Sequence, residues 1–399
     1  MYLLLGLAAL AAAGVAFEGL YRTRDAATIA LDAPHRTPWQ ELPRQHERRR
    51  FVCQVPFVNR NARYEQTLVN VNVSLQVLAK GSARPEELAG TAVVRALNAD
   101  GRGDGYWAAT LVGPSEKLEA ELQIEVPAVP GVTLHAAVVH LTYQTYGRGA
   151  LLTHSDEIVL PLSEVKPLPA MLEGETVGIQ CVPTHLLTDR DDIVEVIDLY
   201  TREFRQPGDV VAVAESVVAI TQHQYFRPAD VEPGYFARRL CYFVPSKGSL
   251  SSPHGFQTAM NQVGAARMVV SMAIGALGKL VGQKGLFYTL AGRPAELIDD
   301  VTGTMPPFDK YIVAGPAEPE RVVARIKERT GLEAAIVDAN DLKRAMVLAC
   351  TPGVAAAEVS RMLLDNPFGN AAEQTPVVVL RPRVTSADRS SQRDQSCSV

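Results

Sequence analysis

The chain opens on an apolar run, MYLLLGLAALAAAGVAF, from Met1 to Phe17. Its length sits at the lower limit for a membrane-spanning helix, and Gly19-Leu20-Tyr21 can extend it. A cleaved signal peptide places basic charge ahead of its apolar core. Here the charges come after it, at Arg22, Arg24, Arg36, Arg44 and Arg48 to Arg50. The positive-inside rule then predicts a single N-terminal anchor over 1–21 with the bulk of the chain in the cytoplasm. The small residues Ala11-Ala12-Ala13 and Val15-Ala16-Phe17 leave a cleaved signal as the alternative. Residues 22–50, with Pro34, Pro38, Pro43 and the arginine run, read as a basic linker. Near anionic headgroups each basic residue contributes about 1 kcal/mol.

From Phe51 to Leu162 the period becomes two. Apolar and polar residues alternate over Thr67 to Val77, Leu118 to Val126, Thr133 to Tyr143 and Glu157 to Leu162. Glycine- and proline-rich turns at 98–105, 127–131 and 147–149 separate these runs. Strands at this spacing predict an antiparallel β-sandwich over 51–165. Pro167-Leu168-Pro169 then marks a boundary near 163–172.

Beyond the boundary, strand and helix patterns mix. A strand from Val177 ends at Pro183-Thr184, and an acidic turn follows with Asp189, Asp191 and Asp192. A helical run leads to Pro207-Gly208-Asp209 and an apolar strand, Val210 to Val213. Ala265 to Leu280 reads as a buried core helix, being short for a membrane span and carrying Arg267 and Lys279. The glycines of 282–294, with Lys284 and Arg293, can cradle an anion on the way into a strand. A helix over Arg321 to Thr330 ends at Gly331. A short strand, Ala334 to Val337, runs into Asp338-Ala339-Asn340-Asp341. The loop from Asp365 to Pro376, either a solvated connection or a binding loop, precedes a last strand, Val377 to Leu380. Residues 383–399 lack apolar periodicity and read as a disordered tail.

Hydrophobic content of 47% and charged content of 21% are ordinary for a globular chain of 399 residues. The formal net charge of −5 gives nucleic acid no footing as a partner. The five scattered cysteines make no C-x-x-C pair and fit a reducing compartment.

The order strand, Thr184 turn, acidic residues such as Asp192, helix, Pro-Gly-Asp turn and a strand running into Glu215 resembles the opening of the coenzyme F-420-0:L-glutamate ligase family. His254-Gly255, Asn261 and Gly264 are similar to that family's "H-G-x-V-C-A-N-A-G" segment, with one extra residue between His and Asn. The segments at 282–294, 299–311 and 365–376 resemble a divergent branch identified as F-420-0:gamma-glutamyl ligase, over about residues 170–382. The resemblance implies a multidomain α+β protein with a C-terminal mixed α/β ligase-like domain. It implies GTP-dependent amide-bond formation between a carboxylate and glutamate through an acyl phosphate, with Mg²⁺ or Mn²⁺. Asp338 and Asp341 would be metal ligands. Thr184, Asp192, Glu215, His254, Asn261, Lys284 and Arg293 would bind nucleotide or substrate. The expected partners are a nucleotide, a small carboxylate and, through the N-terminal helix, the membrane; a homodimer is compatible. The family's "D-x-S-N" and "G-R" motifs are absent. That leaves two other readings, a non-catalytic binding protein that keeps the fold, anchored to the membrane, and a ligase for another acceptor. Without the family, the 338–341 segment reads first as an acidic turn capping the next helix; with it, the two readings stand even.

Overall fold

The computed structural model describes residues 6, 10–17, 29–32, 38–45, 48–80, 84, 86–97, 107, 109–146, 151–174, 177–244, 249–280, 282–283, 285–300, 305–340, 343–369 and 373–382. The chain divides into two compact units, Met1–Leu162 and Ser163–Val399.

The first unit is built from β1 (Ile29–Leu31), β2 (Gln40–Gln45), β3 (Arg48–Gln54), β4 (Phe57–Asn59), β5 (Gln66–Lys80), β6 (Thr91–Ala96), β7 (Thr110–Val112), β8 (Lys117–Leu118), β9 (Ala120–Pro127), β10 (Thr133–Tyr146) and β11 (Leu151–Pro161). All its pairings are antiparallel, in sheets ordered β2-β3-β9-β6, β11-β10-β5-β7 and β1-β4-β8. Every second residue of β9 is buried, which is the expected consequence of one packed and one open face. Phe51, Leu122 and Ile124 from one four-stranded sheet share a core with Val77, Val139 and Ile158 from the other. Phe57 sits edge-on to both Trp107 and Tyr143.

Residues 22–50, expected to be a linker, supply three of these strands. The arginine run is the outer part of β3, where Arg49 pairs with Glu41 on β2 and Arg50 with Glu125 on β9. The reason is that β3 turns apolar at Phe51 and Cys53, so the arginines belong to a strand whose inner half is core. At the N-terminus, residues 10–17 are helical. Among the described residues no single helix is long and apolar enough to cross a membrane. Much of the 1–21 expectation, and all of the 383–399 tail, lies outside the described residues.

The second unit is organised by a six-stranded mixed sheet, ordered β12 (Leu172–Glu173), β13 (Val177–Val182), β20 (Val377–Pro382), β14 (Val210–Ala214), β18 (Glu333–Asn340), β19 (Arg344–Cys350). Only β14 and β18 pair in parallel; the other neighbours are antiparallel. The central strands are apolar on both sides because both faces are covered. Helices α1 (Ile193–Thr201) and α8 (Pro319–Thr330) contribute Ile197, Val322 and Ile326 to one face. Helix α9 (Ala356–Met362) and the turn after it contribute Val359, Leu363 and Phe368 to the other. Helix α2 (Glu215–Thr221) follows β14 directly.

Between α2 and α8 the chain makes a helical lobe. It carries a small sheet, β15 (Tyr225–Phe226), β17 (Ile312–Val313) and β16 (Asp299–Asp300), and helices α3 (Ala237–Leu240), α4 (Pro253–Val263), α5 (Ala265–Leu280), α6 (Leu286–Ala291) and α7 (Arg293–Glu296). Where 282–294 was expected to enter a strand, the chain forms α6 and α7 instead. A Cβ on Gly275 would lie 2.8 Å from the Phe287 Cβ, and one on Gly278 would collide with Leu286 Cδ1. The small residues of α5 thus let α6 pack back on it, and the pair closes before a strand can form. Helix α5 is not the fully buried helix expected from its composition. Met268, Ser271, Gly275 and Gly278 face inward, but Val270, Ile274, Leu277 and Leu280 are exposed.

A buried ion pair ties the Pro-Gly-Asp turn to β20. Arg381 donates to both carboxylate oxygens of Asp209, at 3.0 and 2.9 Å, and the Gln206 N–H donates to Asp209 at 2.8 Å. The Asp209 side chain is 1% exposed. Replacing one partner of such a pair strands the other charge, at a cost of roughly 3–5 kcal/mol. Arg381→Met is therefore expected to lower unfolding stability by about that amount in urea titrations. Arg381→Met combined with Asp209→Leu should cost clearly less than the two single losses added; strict additivity would show the pair is not coupled.

Candidate functional site

Strands β13, β14 and β18 run in the same direction, so their carboxyl ends meet at one edge of the sheet. Open α/β sheets place ligands at that edge. Here it carries a pocket with a volume of about 120 Å³. Thr184, His185 and Leu187 come from the loop after β13, Ala214 from the end of β14, and Ser216 and Val217 from the start of α2. Phe368, Gln374 and Thr375 come from the loop before β20, and Phe308 from the lobe. Among the described residues that line it there is no Lys or Arg, and most of the wall is apolar.

The loop before β20 holds this edge together. The Thr184 N–H donates to the Gln374 carbonyl at 3.0 Å, and the Ala214 N–H to the Pro376 carbonyl at 2.9 Å. Gln374 has φ of +56°, a left-handed backbone unusual for a side chain of its kind. Thr375 donates its hydroxyl to the Phe368 carbonyl at 2.7 Å. Of the two readings of the 365–376 loop, this placement favours the pocket wall.

The loop after β13 brings two histidine–aspartate pairs to the same region. His185 Nε2 lies 3.0 Å from Asp191 Oδ1, and its Nδ1 lies 2.8 Å from the Tyr200 hydroxyl. The other Asp191 oxygen accepts the Thr188 N–H at 2.8 Å and the Thr188 hydroxyl at 3.1 Å. The Tyr200 hydroxyl also accepts the His185 N–H at 3.3 Å, which leaves its own proton for Nδ1. In that arrangement Nδ1 accepts from Tyr200 and Nε2–H donates to Asp191, so both ring nitrogens have partners. Burial raises the Tyr200 hydroxyl above its ordinary value; the His185 N–H lowers it and the Asp191 charge raises it further. In the second pair, His223 Nδ1 lies 2.9 Å from the buried Asp189 carboxylate. His223 has φ of +58° at the end of α2, and its ring packs on Tyr225.

The residues expected from the sequence do not all gather here. Thr184 lines the pocket, and Glu215 stands between Ala214 and Ser216, which also line it. Asp192 caps α1 through the Val194 N–H at 2.9 Å and pairs with Arg325 at 2.6 Å, away from the pocket wall. His254 lies in the first turn of α4 and Asn261 is exposed further along it, accepting from Gln257 at 2.8 Å. Arg293 opens α7, donating to the Leu348 carbonyl at 3.0 Å. Lys284 and Asp341 lie outside the described residues. His185 was missed: the signal was its place six residues before Asp191, in a turn where only the acids drew notice.

Asp338 is not at a strand end. Strand β18 continues to Asn340 because β19 pairs with it, Asp338 opposite Met346 and Asn340 opposite Arg344. Burial pushes the Asp338 carboxyl up; the Arg344 guanidinium opposes this and the Glu296 carboxylate adds to it. Arg344 also pairs with Glu296 at 3.6 Å. A Mg²⁺ or Mn²⁺ ion needs about six oxygens. Among the described residues no group of three or more metal-binding side chains is formed. Asp338 and Glu296, two carboxylates sharing an arginine, do not by themselves supply such a set, and Asp341, the other expected ligand, lies outside the described residues.

Residues 35–164 match the family model described as F420-0:gamma-glutamyl ligase, N-terminal Ig-like domain. The resemblance to that family is thereby borne out, on the sandwich rather than on the segments from which it was first read. No curated protein matches. Among solved structures, the GAE domain of GGA2p from Saccharomyces cerevisiae is 13% identical, over 34% of this chain and 97% of that one, with a TM-score of 0.19. A FixG-related protein from Vibrio parahaemolyticus is 8% identical, over 34% and 95%, with a TM-score of 0.17. Scores that low establish no common fold.

The raised Asp338 carboxyl gives a signed prediction. The folded state holds that proton more tightly than the unfolded chain, so ionised Asp338 lowers stability at neutral pH. That penalty shrinks as pH falls through the raised native value and is gone below the ordinary carboxylate range. Asp338→Asn should therefore raise the melting temperature at pH 7, with the gain fading on acidification. A melting temperature lowered at pH 7 would show that the carboxylate is held by stabilising contacts instead.

Proposed function

We propose, for a chain whose residues 35–164 match the N-terminal Ig-like domain of F420-0:gamma-glutamyl ligase, a ligase-related function centred on the pocket at the carboxyl edge of the second unit's sheet. The reaction is amide-bond formation between a carboxylate and glutamate, with GTP as phosphoryl donor. A carboxylate oxygen attacks the γ-phosphorus and GDP leaves. The glutamate amine then attacks the acyl phosphate, the C–N bond forms, phosphate leaves and the amine gives up a proton. The observation that supports placing glutamate here is a pocket at the ends of β13 and β14, walled by the loop before β20, with Thr184, Ser216, His185 and Gln374 among apolar neighbours. Both ring nitrogens of His185 are engaged, by Asp191 and Tyr200, so that proton leaves with the released phosphate, and His185 shapes the pocket wall.

One observation favours a second reading, a binding protein that keeps the fold without catalysis. The described lining has no cation, whereas a triphosphate is ordinarily held by cations or convergent N–H groups. GTP would then have to lie outside this pocket.

Calorimetry on the full chain separates the two. Under the ligase reading GTP with Mn²⁺ gives saturable binding, and glutamate then binds the GTP-loaded chain. Ser216→Trp, which fills the pocket, should weaken glutamate at least about tenfold, equivalent to 1.4 kcal/mol, and spare GTP. Absence of GTP binding with and without Mn²⁺ supports the binding-protein reading. Unchanged glutamate affinity in Ser216→Trp removes the pocket from the proposal.

A further inference from the structure

Helix α5 has two apolar faces, and only one is packed. The inner face, with Met268, Ser271, Gly275 and Gly278, is buried in the lobe. The outer face presents Val270, Ile274, Leu277 and Leu280, with exposures of 55, 42, 64 and 83%. Their spacing of four, three and three residues keeps them on one side of the helix. The other exposed positions between them are Ala273, Ala276 and Lys279, and the other charged side chain on α5 is Arg267. Elsewhere in the lobe Tyr235, Phe236, Tyr242 and Phe243 are also exposed. Arg239 lies 3.6 Å over the Tyr235 ring.

The helical stretch of the lobe is one-sided in charge, although the lobe as a whole also carries Asp230, Glu232, Glu296, Asp299, Asp300, Asp309 and Glu318. Residues 233–295 contain seven Lys and Arg and no Asp or Glu, in a chain with a formal net charge of −5. Arg238, Arg239, Arg267, Lys279 and Arg293 are among them. An apolar helical face beside basic residues is the composition that lies in a lipid–water interface: the face enters the acyl boundary and the cations meet anionic headgroups. Sixteen residues span about 24 Å, less than the roughly 30 Å of a hydrocarbon core. The helix that precedes it, α4, meets it at a bend of 113°. A length and a bend of that kind suit a helix lying in the surface better than one crossing it.

We infer that the helical lobe docks on an anionic lipid bilayer through the outer face of α5. This is independent of any catalytic role for the pocket and does not use the N-terminal apolar run. It gives the second unit its own contact with lipid.

The test reads the lobe itself, since the N-terminal run could hold the full chain on a vesicle unaided. Leu277→Trp is made in the full chain, and the emission of the parent, from Trp39 and Trp107, is subtracted. Vesicles contain phosphatidylglycerol or phosphatidylcholine with bromine in the acyl chains. The expected result is quenching by brominated phosphatidylglycerol, reduced by salt and several-fold weaker with phosphatidylcholine. Adding Ile274→Glu should abolish the quenching while circular dichroism and melting temperature stay unchanged. Absence of quenching by either lipid overturns the docking, and equal quenching by both overturns the anionic preference. A blue shift that grows with protein concentration without vesicles assigns the face to a second copy of the chain and overturns the proposal.

Discussion

The second unit depends on how its last strand enters the sheet. Strand β20 is inserted antiparallel between β13 and β14. It therefore starts at the edge where those two strands end. The segment that delivers it crosses that edge, and its Gln374 and Pro376 carbonyls take the N–H groups of Thr184 and Ala214. Buried main-chain groups need partners, and these bonds supply them while leaving side chains of the loop, Phe368 and Thr375 among them, to wall the pocket. At the other end of β20, Arg381 reaches the buried Asp209. One strand thus fixes both the pocket edge and the turn that leads into β14.

The first unit was largely legible because its physics is local. Strands with one packed face alternate, and β9 and β10 fall close to where the alternation predicts. The misread stretch was 22–50, where the arginines of β3 obscured a strand whose apolar half begins at Phe51. In the second unit the central strands and α8 could be read from apolar runs and from Gly331, which takes the left-handed conformation expected after the helix.

The candidate site was less legible, since its residues come together only through tertiary pairing. Thr184 was found because it follows a readable strand. His185 was not, because its partners Asp191 and Tyr200 are joined by a loop conformation that no periodicity records. Asp338 was placed at a strand end because the pairing of β18 with β19 depends on register across a turn. Helix α5 was read as core because composition separates apolar from polar residues but cannot tell a covered apolar face from an open one.

The position of β20 also bears on how the protein is made. During synthesis the chain emerges from its N-terminus onward, and the strands of the first unit are available early. In the second unit β13 and β14 do not pair with each other; β20, some 160 residues after β14 in sequence, joins them. Until it emerges, two strongly apolar strands have no neighbour between them, and unpaired strand edges invite association with other chains. The second unit therefore closes after translation has passed its last strand, and a nascent chain stalled before Val377 would display a sheet with its centre missing.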